Sequence, residues 1–284
     1  MPVISPNALA PPAANDAAGP VATALREKVR RLERAHSAER AGQQAVPLGI
    51  PAIDALLPNS SMGGGSMGGG LLTGALHEIE AGPAPSGRVA AHDGAALGFA
   101  AHLLGRFGTL RPGTILWCRR PGAADAPPYA PALAAWFDPA RLLMVTVRRD
   151  EDLFWAMEEG LRAGLAAVLG ETRATDLTAG RRLSLAAEKS GVPALLLRAQ
   201  PAPPQSVCTT RWRVAPAATH STPGLGDVGA PRWRIELRRN RFGVPSVTET
   251  PTWFLEWNDE AHCLSVVPQA FDGSTREVET RLVG

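Results

Sequence analysis

One stretch, residues 74–107, constrains the fold of this chain more than any other. An apolar run at 75–81 leads into a turn rich in glycine and proline, and a long Ala- and Leu-rich stretch without proline follows. We therefore predict a strand, a glycine loop and a helix in succession. This unit can hold nucleotide phosphates, because the N–H groups of the loop and the helix N-terminus converge on an anion.

The turn has the spacing of the phosphate-binding pattern G-x-x-x-x-G-K-[ST], with Gly82 and Gly87 at the glycine positions. Arg88 and Val89 stand where the pattern has Lys and Ser or Thr. In one interpretation Arg88 is a bidentate phosphate ligand at a residual nucleotide site. In the other, which we prefer, strand–helix packing alone requires the turn.

Downstream of this unit, apolar strands alternate with helical segments. The predicted strands are 114–119, 141–147, 165–169 and 194–197, and the predicted helices are 133–137, 150–164 and 178–189. Strands that are apolar throughout are typical of a parallel sheet covered by helices on both faces. The sequence therefore predicts an α/β fold with a mostly parallel, twisted sheet.

The last third of the chain alternates polar and apolar residues, as in CTTRWRV at 208–214 and RWRIEL at 232–237. Period two with one polar face predicts antiparallel strands at a sheet edge, with Trp212 and Trp233 facing the core. The polar face is either a solvated outer face, which we prefer, or a basic surface for DNA phosphates or an acidic partner. Its candidate contact residues are Arg211, Arg213, Arg232, Arg234, Arg238, Arg239 and Arg241.

The composition of the segments predicts four regions. We expect a disordered leader at 1–20, a charged amphipathic helix with a linker at 21–45, a core domain at 46–267 and a disordered tail at 268–284. Within the core, we expect a flexible glycine-rich loop at 61–70 and a mobile loop at 216–231. The helix at 21–40 docks on its own domain, on a second copy of the chain, or on a partner.

Composition excludes several classes of protein. A formal net charge of +2 does not make the whole chain a nucleic-acid binder. Three cysteines without a C-x-x-C motif indicate neither a disulfide framework nor a zinc site, and the scattered histidines indicate no other metal site. Without an apolar run of about 20 residues or a signal sequence, we expect a cytoplasmic protein with no membrane contact.

The order of these parts resembles that of RecA-type recombinases over roughly residues 46–258. VPLGIPAIDALL followed by GGGLLTGALHEIEAGPAPSGRVA is similar to the approach to the phosphate loop in that family. DPARLLMV, the next helix and AAVLGE stand where the family has its Walker B segment, and RWRIELRRNRFGVPS resembles a late hairpin. The resemblance implies a RecA-like core.

Five segments are more narrowly similar to the ImuA family, the RecA-like proteins of the bacterial damage-induced mutagenesis cassette. They are LHEIEAGPAPSG, ILWCRR, DPARLLMVTVRRDEDLFWAMEEGLRAGLAAVLGE, TRWRVAP and PRWRIELRRNRFGVPS. This resemblance implies a role in SOS-induced, error-prone translesion synthesis, beside ImuB, a Y-family polymerase relative, and an error-prone DNA polymerase. RecA and DNA are further candidate partners, and association with the nucleoid after DNA damage would follow. By the same resemblance, the helix at 21–40 occupies the position in the sequence where recombinases have the helix that docks on the next subunit.

The chain departs from the recombinase pattern in the phosphate loop. Arg88 replaces the lysine, and Val89 cannot bind Mg²⁺ as the usual hydroxyl does. Pro85 also removes one backbone N–H from the loop.

It departs again at two strand ends. Arg119 and Arg120 stand where the resemblance implies a water-activating glutamate, and Gly170 stands where it implies a metal-binding aspartate. Glu171 could replace that aspartate only if a shift of one residue along the strand left it facing the site.

These departures predict a non-catalytic accessory or scaffold protein that needs no cofactor and has no catalytic residues. Two alternatives stay open: a RecA/RadA-type DNA-dependent ATPase with a degenerate phosphate loop, and an SOS cell-division inhibitor built on a similar core.

Overall fold

A computed structural model describes most of the chain. It covers residues 43–58, 69–83, 94–122, 127–173, 176–198, 205–219, 229–242 and 250–268. The predicted leader and helix at 1–40, most of the glycine-rich loop, the middle of the 216–231 loop and nearly all of the predicted tail lie outside these ranges.

The described residues form eleven strands and five α-helices. The strands are β1 (Ala45–Val46), β2 (Leu71–Leu72), β3 (Leu76–Ala81), β4 (Ile115–Arg119), β5 (Leu142–Thr146), β6 (Ala167–Thr172), β7 (Ala194–Arg198), β8 (Thr210–Pro216), β9 (Arg232–Asn240), β10 (Thr252–Asn258) and β11 (Cys263–Val267). The helices are α1 (Pro51–Asp54), α2 (Gly94–Leu110), α3 (Ala130–Leu133), α4 (Asp150–Arg162) and α5 (Leu177–Ser190).

Nine strands make one mixed sheet in the order β11-β10-β9-β8-β3-β7-β6-β4-β5. The strands from β8 to β5 run parallel, and β8 to β11 pair antiparallel. The predicted α/β class, with a mostly parallel sheet and an antiparallel C-terminal edge, is confirmed.

Helices cover both faces of the parallel part. On one face, α2 packs through Phe99 and Leu103 in the same core as Trp212 and Trp233. On the other, α4 and α5 build a second core that includes Met157 and Leu183. Because alternate residues of a strand face opposite sides, β3 sends Leu76, Glu78 and Glu80 toward the second core and His77, Ile79 and Ala81 toward α2.

Helix α5 shows why the sequence predicts its ends well. The side chain of Asp176 accepts hydrogen bonds from the N–H groups of Thr178 and Ala179 at 2.7 and 3.2 Å, which caps the first turn. Gly191 ends the helix with φ 70°, a left-handed conformation that glycine adopts without strain. The cap and the stop are both local, so both are visible in the sequence.

The structure corrects three predictions. The short helix predicted at 133–137 lies earlier, at Ala130–Leu133, because Pro131 fits the first turn of a helix. Strand β6 does not end at 169 but continues to Thr172, so Glu171 lies within the strand. Strand β8, which begins the predicted antiparallel edge, also joins it to the parallel part of the sheet, since it pairs parallel with β3 and antiparallel with β9.

The third correction concerns β11, for which the sequence analysis predicted no strand. It forms a hairpin with β10, and Asn258 Oδ1 accepts a hydrogen bond from the N–H of Ala261 in the turn at 2.7 Å. His262 closes the turn with φ 48°, a left-handed conformation that is uncommon for residues other than glycine.

Asp54 holds the segment before the sheet in place. Its carboxylate accepts hydrogen bonds from three successive N–H groups, those of Leu48, Gly49 and Ile50, at 2.7, 3.0 and 3.1 Å. Burial raises the pKa of this carboxyl, and the three backbone bonds oppose that rise. The aspartate of the recombinase-like segment therefore has a structural role.

Candidate functional site

Six parallel strands end at one edge of the sheet, and in α/β sheets of this kind ligands bind at that edge. Charged and polar side chains are concentrated there in this chain. They are Glu78, Glu80, Arg119, Arg120, Asp150, Glu171, Thr172, Arg198 and Arg213. This carboxyl edge is also where the sequence predicts the phosphate loop and the two altered strand ends.

Arg119 and Glu171 form a buried ion pair across this edge. The register places them side by side on β4 and β6, and Arg119 Nε lies 3.6 Å from Glu171 Oε1. The same carboxylate oxygen accepts a hydrogen bond from Trp117 Nε1 at 2.6 Å. Only 5% and 3% of the two charged side chains are exposed, so Glu171 is held inside the layer between the sheet and α2.

A second, more exposed pair lies next to it. Arg120 Nη2 is 3.4 Å from Asp150 Oδ2, and Thr172 donates a hydrogen bond to Asp150 Oδ1 at 3.2 Å. Asp150 is the first residue of α4, where the helix dipole favours an acid. These contacts join the ends of β4 and β6 to the start of the helix between them.

Gly170 lies on the opposite face of β6, directly beneath α4. A Cβ at this position would lie 2.2 Å from Met157 Sδ and 3.1 Å from Leu153 Cδ2. The first distance is shorter than atoms in contact can approach and the second is tighter than most contacts, so a side chain here requires the end of the Met157 side chain to move. The position at which the recombinase pattern has an aspartate is therefore covered by Met157.

The most buried charge at this edge is Glu78, whose side chain is 1% exposed. Arg198 Nη2 lies 3.1 Å from Oε1, Arg211 Nε lies 3.0 Å from Oε2, and Ser206 donates a hydrogen bond to Oε1 at 2.7 Å. Burial alone would raise the pKa of Glu78, but the two arginines and the serine hold it below its usual value. Glu78 is therefore an ionised carboxylate that joins β3, β7 and β8.

Glu80 repeats this arrangement one pleat later, at the end of β3. Its carboxylate lies 3.5 Å from Arg211 Nε and 3.4 Å from Arg213 Nη2. Gly82 follows and donates its N–H to the carbonyl of Val214 at 2.7 Å. A Cβ on Gly82 would lie 2.9 Å from that of Ala215, so close packing against β8 is enough to require glycine here.

Of the three residues predicted for the phosphate loop, the structure describes only Gly82. Gly87 and Arg88 lie outside the described residues, so whether they bind phosphate stays a prediction.

The seven predicted contact arginines all lie in the described residues and fall into two groups. Arg211 and Arg232 are buried, and Arg232 Nε lies 2.5 Å from Glu256 Oε2. The other five are more exposed: Arg213, Arg234, Arg238, Arg239 and Arg241. Two of these five, Arg234 and Arg238, share Glu236, at 3.2 and 3.5 Å. The buried arginines pair with acids of the sheet, and DNA contact by any of the seven stays a prediction.

The sequence analysis did not identify the buried network around Glu78 and Arg198. The sequence LHEIEA does contain an indication of this network, because Glu78 and Glu80 are two residues apart in a segment that the sequence analysis describes as an apolar strand. Two acids on one face of a buried strand require cations opposite them, because an unpaired buried charge is very costly. Arg211 and Arg213 recur with the same period on β8.

The described part of this edge does not favour metal or thiol chemistry. Within the described ranges, no three His, Cys, Asp or Glu side chains come close enough together to hold a metal ion. The carboxylates of Glu78, Glu80, Asp150 and Glu171 each face an arginine instead. Burial raises the pKa of Cys118 and of Cys208 to about 12, so both are protonated thiols near neutral pH.

Among the described residues, the helices are all too short or too polar to cross a lipid bilayer.

Comparison with known proteins gives one consistent result. Two relatives are each 33% identical to this chain over 226 residues, which is 75% of this chain and 84% of the relative. Both carry the name Protein ImuA and come from Caulobacter vibrioides, one from strain NA1000 / CB15N and the other from strain ATCC 19089 / CIP 103742 / CB 15. A scan against models of known protein families finds no match.

Proposed function

This chain belongs to the ImuA family, and from that membership we propose that it is an accessory protein of SOS-induced, error-prone translesion DNA synthesis. In this proposal a RecA-like core serves as a scaffold and does not hydrolyse ATP. Its partners are an ImuB-type relative of the Y-family polymerases and an error-prone DNA polymerase. The protein acts in the cytoplasm, at the nucleoid after DNA damage.

The ion pair between Arg119 and Glu171 is the observation that carries the non-catalytic part of the proposal. A RecA-type ATPase needs carboxylates at these strand ends to activate water and to support the metal ion. Here β4 ends in arginines, and Glu171 is buried against Arg119 and Trp117. A carboxylate held in this way is poorly placed to bind Mg²⁺, because the ion would have to displace a cation at a distance of 3.6 Å.

Gly170 supports the same conclusion from the other face of β6. The aspartate of the recombinase pattern would require the Met157 side chain to move from its place in the core. Loss of a single charge-stabilising group costs about 10²–10³ in rate. The sequence adds Arg88 and Val89 in the loop, so several such groups are missing together. Residual nucleotide binding through Gly82, Gly87 and Arg88, without turnover, is compatible with this proposal.

Contacts with RecA and with DNA form the second part of the proposal. The exposed arginines of β9 and the turn after it supply a local positive charge on a chain that is otherwise nearly neutral. Arg241 is exposed and lies 5.0 Å from the ring centre of Phe242, a pairing of cation and aromatic ring that suits nucleic-acid contact. Self-association through the segment at 21–40 is a further proposal that rests on the resemblance alone.

Complementation in a bacterium that encodes this protein tests the proposal. We expect deletion of the gene to abolish the rise in mutation frequency after ultraviolet damage. We expect an Arg88→Ala allele to restore that rise fully, since the proposed role needs no ATP turnover. A deletion strain with normal induced mutation would refute the accessory role, and an Arg88→Ala allele that behaves like the deletion would favour the ATPase alternative. Damage-induced filamentation that disappears with the gene would favour the cell-division alternative.

A further inference from the structure

A groove of about 620 Å³ lies between α4 and α5, on the side of these helices away from the carboxyl edge network. Its lining residues are Glu158, Arg162, Arg182, Leu185, Ala186, Lys189 and Ser190. None of the residues predicted for the phosphate loop is in this lining.

Glu158 forms the floor of the groove and fixes its two arginines. Its side chain is 3% exposed, whereas those of Arg162 and Arg182 are 57% and 60% exposed. Arg162 Nη2 lies 3.0 Å from Glu158 Oε2, and Arg182 Nε lies 2.9 Å from Glu158 Oε1. Both guanidinium groups are thereby held in position before any ligand arrives, which lowers the entropy cost of binding.

The lining carries an excess of positive charge. Lys189 in the last turn of α5 adds a third cation to the two arginines, and Glu158 is the one acid among the lining residues. Glu159 stands at the rim and pairs with Arg162. A ligand that enters the groove therefore meets outward-facing donors and a net positive field.

One large apolar side chain lies among these cations and a second lies outside the lining. Leu185 is 65% exposed in the lining itself, and Trp155 is 62% exposed elsewhere on α4. Residues three or four apart share a helix face, so Trp155 lies one turn from Glu158 and Glu159 on the face that carries Arg162. Exposed aromatic and aliphatic groups beside fixed arginines are the usual composition of a protein-binding patch.

We propose that this groove binds an acidic amphipathic segment of a protein partner. In this complex, Trp155 and Leu185 pack against the apolar side of the segment, and Arg162, Arg182 and Lys189 pair with its carboxylates. The inference rests on the proposed accessory role, for which it supplies the partner surface. Nucleic acid fits less well, because its sugar-phosphate backbone offers no apolar side to cover the exposed Leu185.

Binding of defined probes to the full chain tests the proposal. The main probe is a fluorescein-labelled helical peptide of about 16 residues with leucines on one face and glutamates on the other. The comparison probes are the same peptide with lysine in place of glutamate and a labelled single-stranded oligonucleotide. All seven tryptophans lie in the described residues, and Trp155 alone is exposed, so its quenching by acrylamide reports on a peptide that extends from the groove over α4.

We expect the acidic peptide to bind more tightly than either comparison probe and to protect Trp155 from quenching. Leu185→Asp should weaken this binding at least about tenfold without a loss of thermal stability, because the side chain is already exposed. Leu177→Asp is the matched control, since Leu177 lies on the same helix, is 38% exposed and is outside the groove. Lys189→Gln should weaken acidic-peptide binding as a second, charge-based variant.

Three results would overturn the proposal. They are equal affinity for the acidic and basic peptides, equal effects of Leu185→Asp and Leu177→Asp, and oligonucleotide binding that the groove variants abolish. The last would assign the groove to nucleic acid. The peptide-binding measurement uses purified protein and does not depend on the mutation frequency of the cells. A deletion strain with normal induced mutation would therefore refute the proposed function without affecting the result for the groove.

Discussion

Arg211 Nε lies 3.0 Å from Glu78 Oε2, and the two residues occupy register-paired positions on the parallel strands β8 and β3. Arg198 reaches the same carboxylate from β7, on the other side of β3. One buried acid therefore joins three adjacent strands at the point where the parallel and antiparallel parts of the sheet meet. An arginine that the sequence suggests for DNA contact has a structural partner.

Glu78→Gln should destabilise the fold strongly, because it leaves two buried guanidinium groups without their main counter-charge. We expect a loss of about 3–5 kcal/mol in the free energy of unfolding, measured with urea. Glu236→Gln is the matched control. It pairs with the more exposed Arg234 and Arg238, and its loss should cost about 1 kcal/mol or less. Equal losses for the two variants would show that the Glu78 network is not a stabilising centre.

The pair of Arg119 and Glu171 should show strong coupling in a double-mutant cycle. Glu171→Gln keeps an acceptor for Trp117 but leaves Arg119 buried beside a neutral group, which should cost about 3 kcal/mol. Adding Arg119→Met removes the buried charge and should recover most of that loss. Additive effects of the two substitutions in urea unfolding would contradict the buried pair.

The sequence predicts the elements that local chemistry determines. The apolar strands and the helix at 178–189 are predicted from local patterns, and the period of two correctly places Trp212 and Trp233 in the core. It does not predict the carboxyl edge, because Glu78 meets Arg198 and Arg211 from 120 and 133 residues away. Such contacts depend on strand order, which periodicity does not contain.

Glu171 illustrates the same limit at the candidate site. Because Glu171 follows Gly170 directly in the strand, the sequence suggests that its side chain lies on the opposite face of β6. The structure adds that Arg119 pairs with it on that face. The space above Gly170 is likewise determined by Met157 on α4, which no pattern within β6 indicates. The sequence suggests which chemical groups are missing, and the structure shows what occupies their places.

Two buried histidines predict how stability depends on pH. Burial lowers the pKa of His77 and of His102 from 6.5 to about 4. His77 Nε2 lies 2.9 Å from the carbonyl of Leu72 and His102 Nε2 lies 3.0 Å from that of Leu48, which suits a neutral ring that donates from Nε2. The unfolded chain therefore binds more protons than the folded chain between pH 6.5 and about 4.

Stability should accordingly be full above pH 6.5 and fall as the pH decreases toward 4. At pH 5 each histidine should cost about 2 kcal/mol relative to pH 7.5. Urea unfolding at pH 7.5, 6 and 5 measures this loss, and His102→Gln should reduce its slope. A stability that is constant from pH 7.5 to 5 would contradict neutral buried rings.

Single-stranded DNA binding, if the exposed arginines mediate it, should depend on salt through those residues. The triple variant Arg238→Gln, Arg239→Gln and Arg241→Gln should reduce the slope of log K against log salt by about 2. The same charge change at the exposed Arg148, Arg149 and Arg181 is the control and should have little effect. Fluorescence anisotropy with a labelled oligonucleotide measures both. Equal slopes for the two triple variants would leave the β9 arginines as solvated surface residues.

Turnover of Mg²⁺–ATP by the purified chain, with and without single-stranded DNA, tests the central claim most directly. We predict no phosphate release above buffer in either condition. We also predict none for Arg88→Lys with Val89→Thr, because β4 would still end in arginines and position 170 would still lack the aspartate of the recombinase pattern. DNA-stimulated turnover in the unaltered chain that disappears in Arg88→Ala would contradict a non-catalytic scaffold.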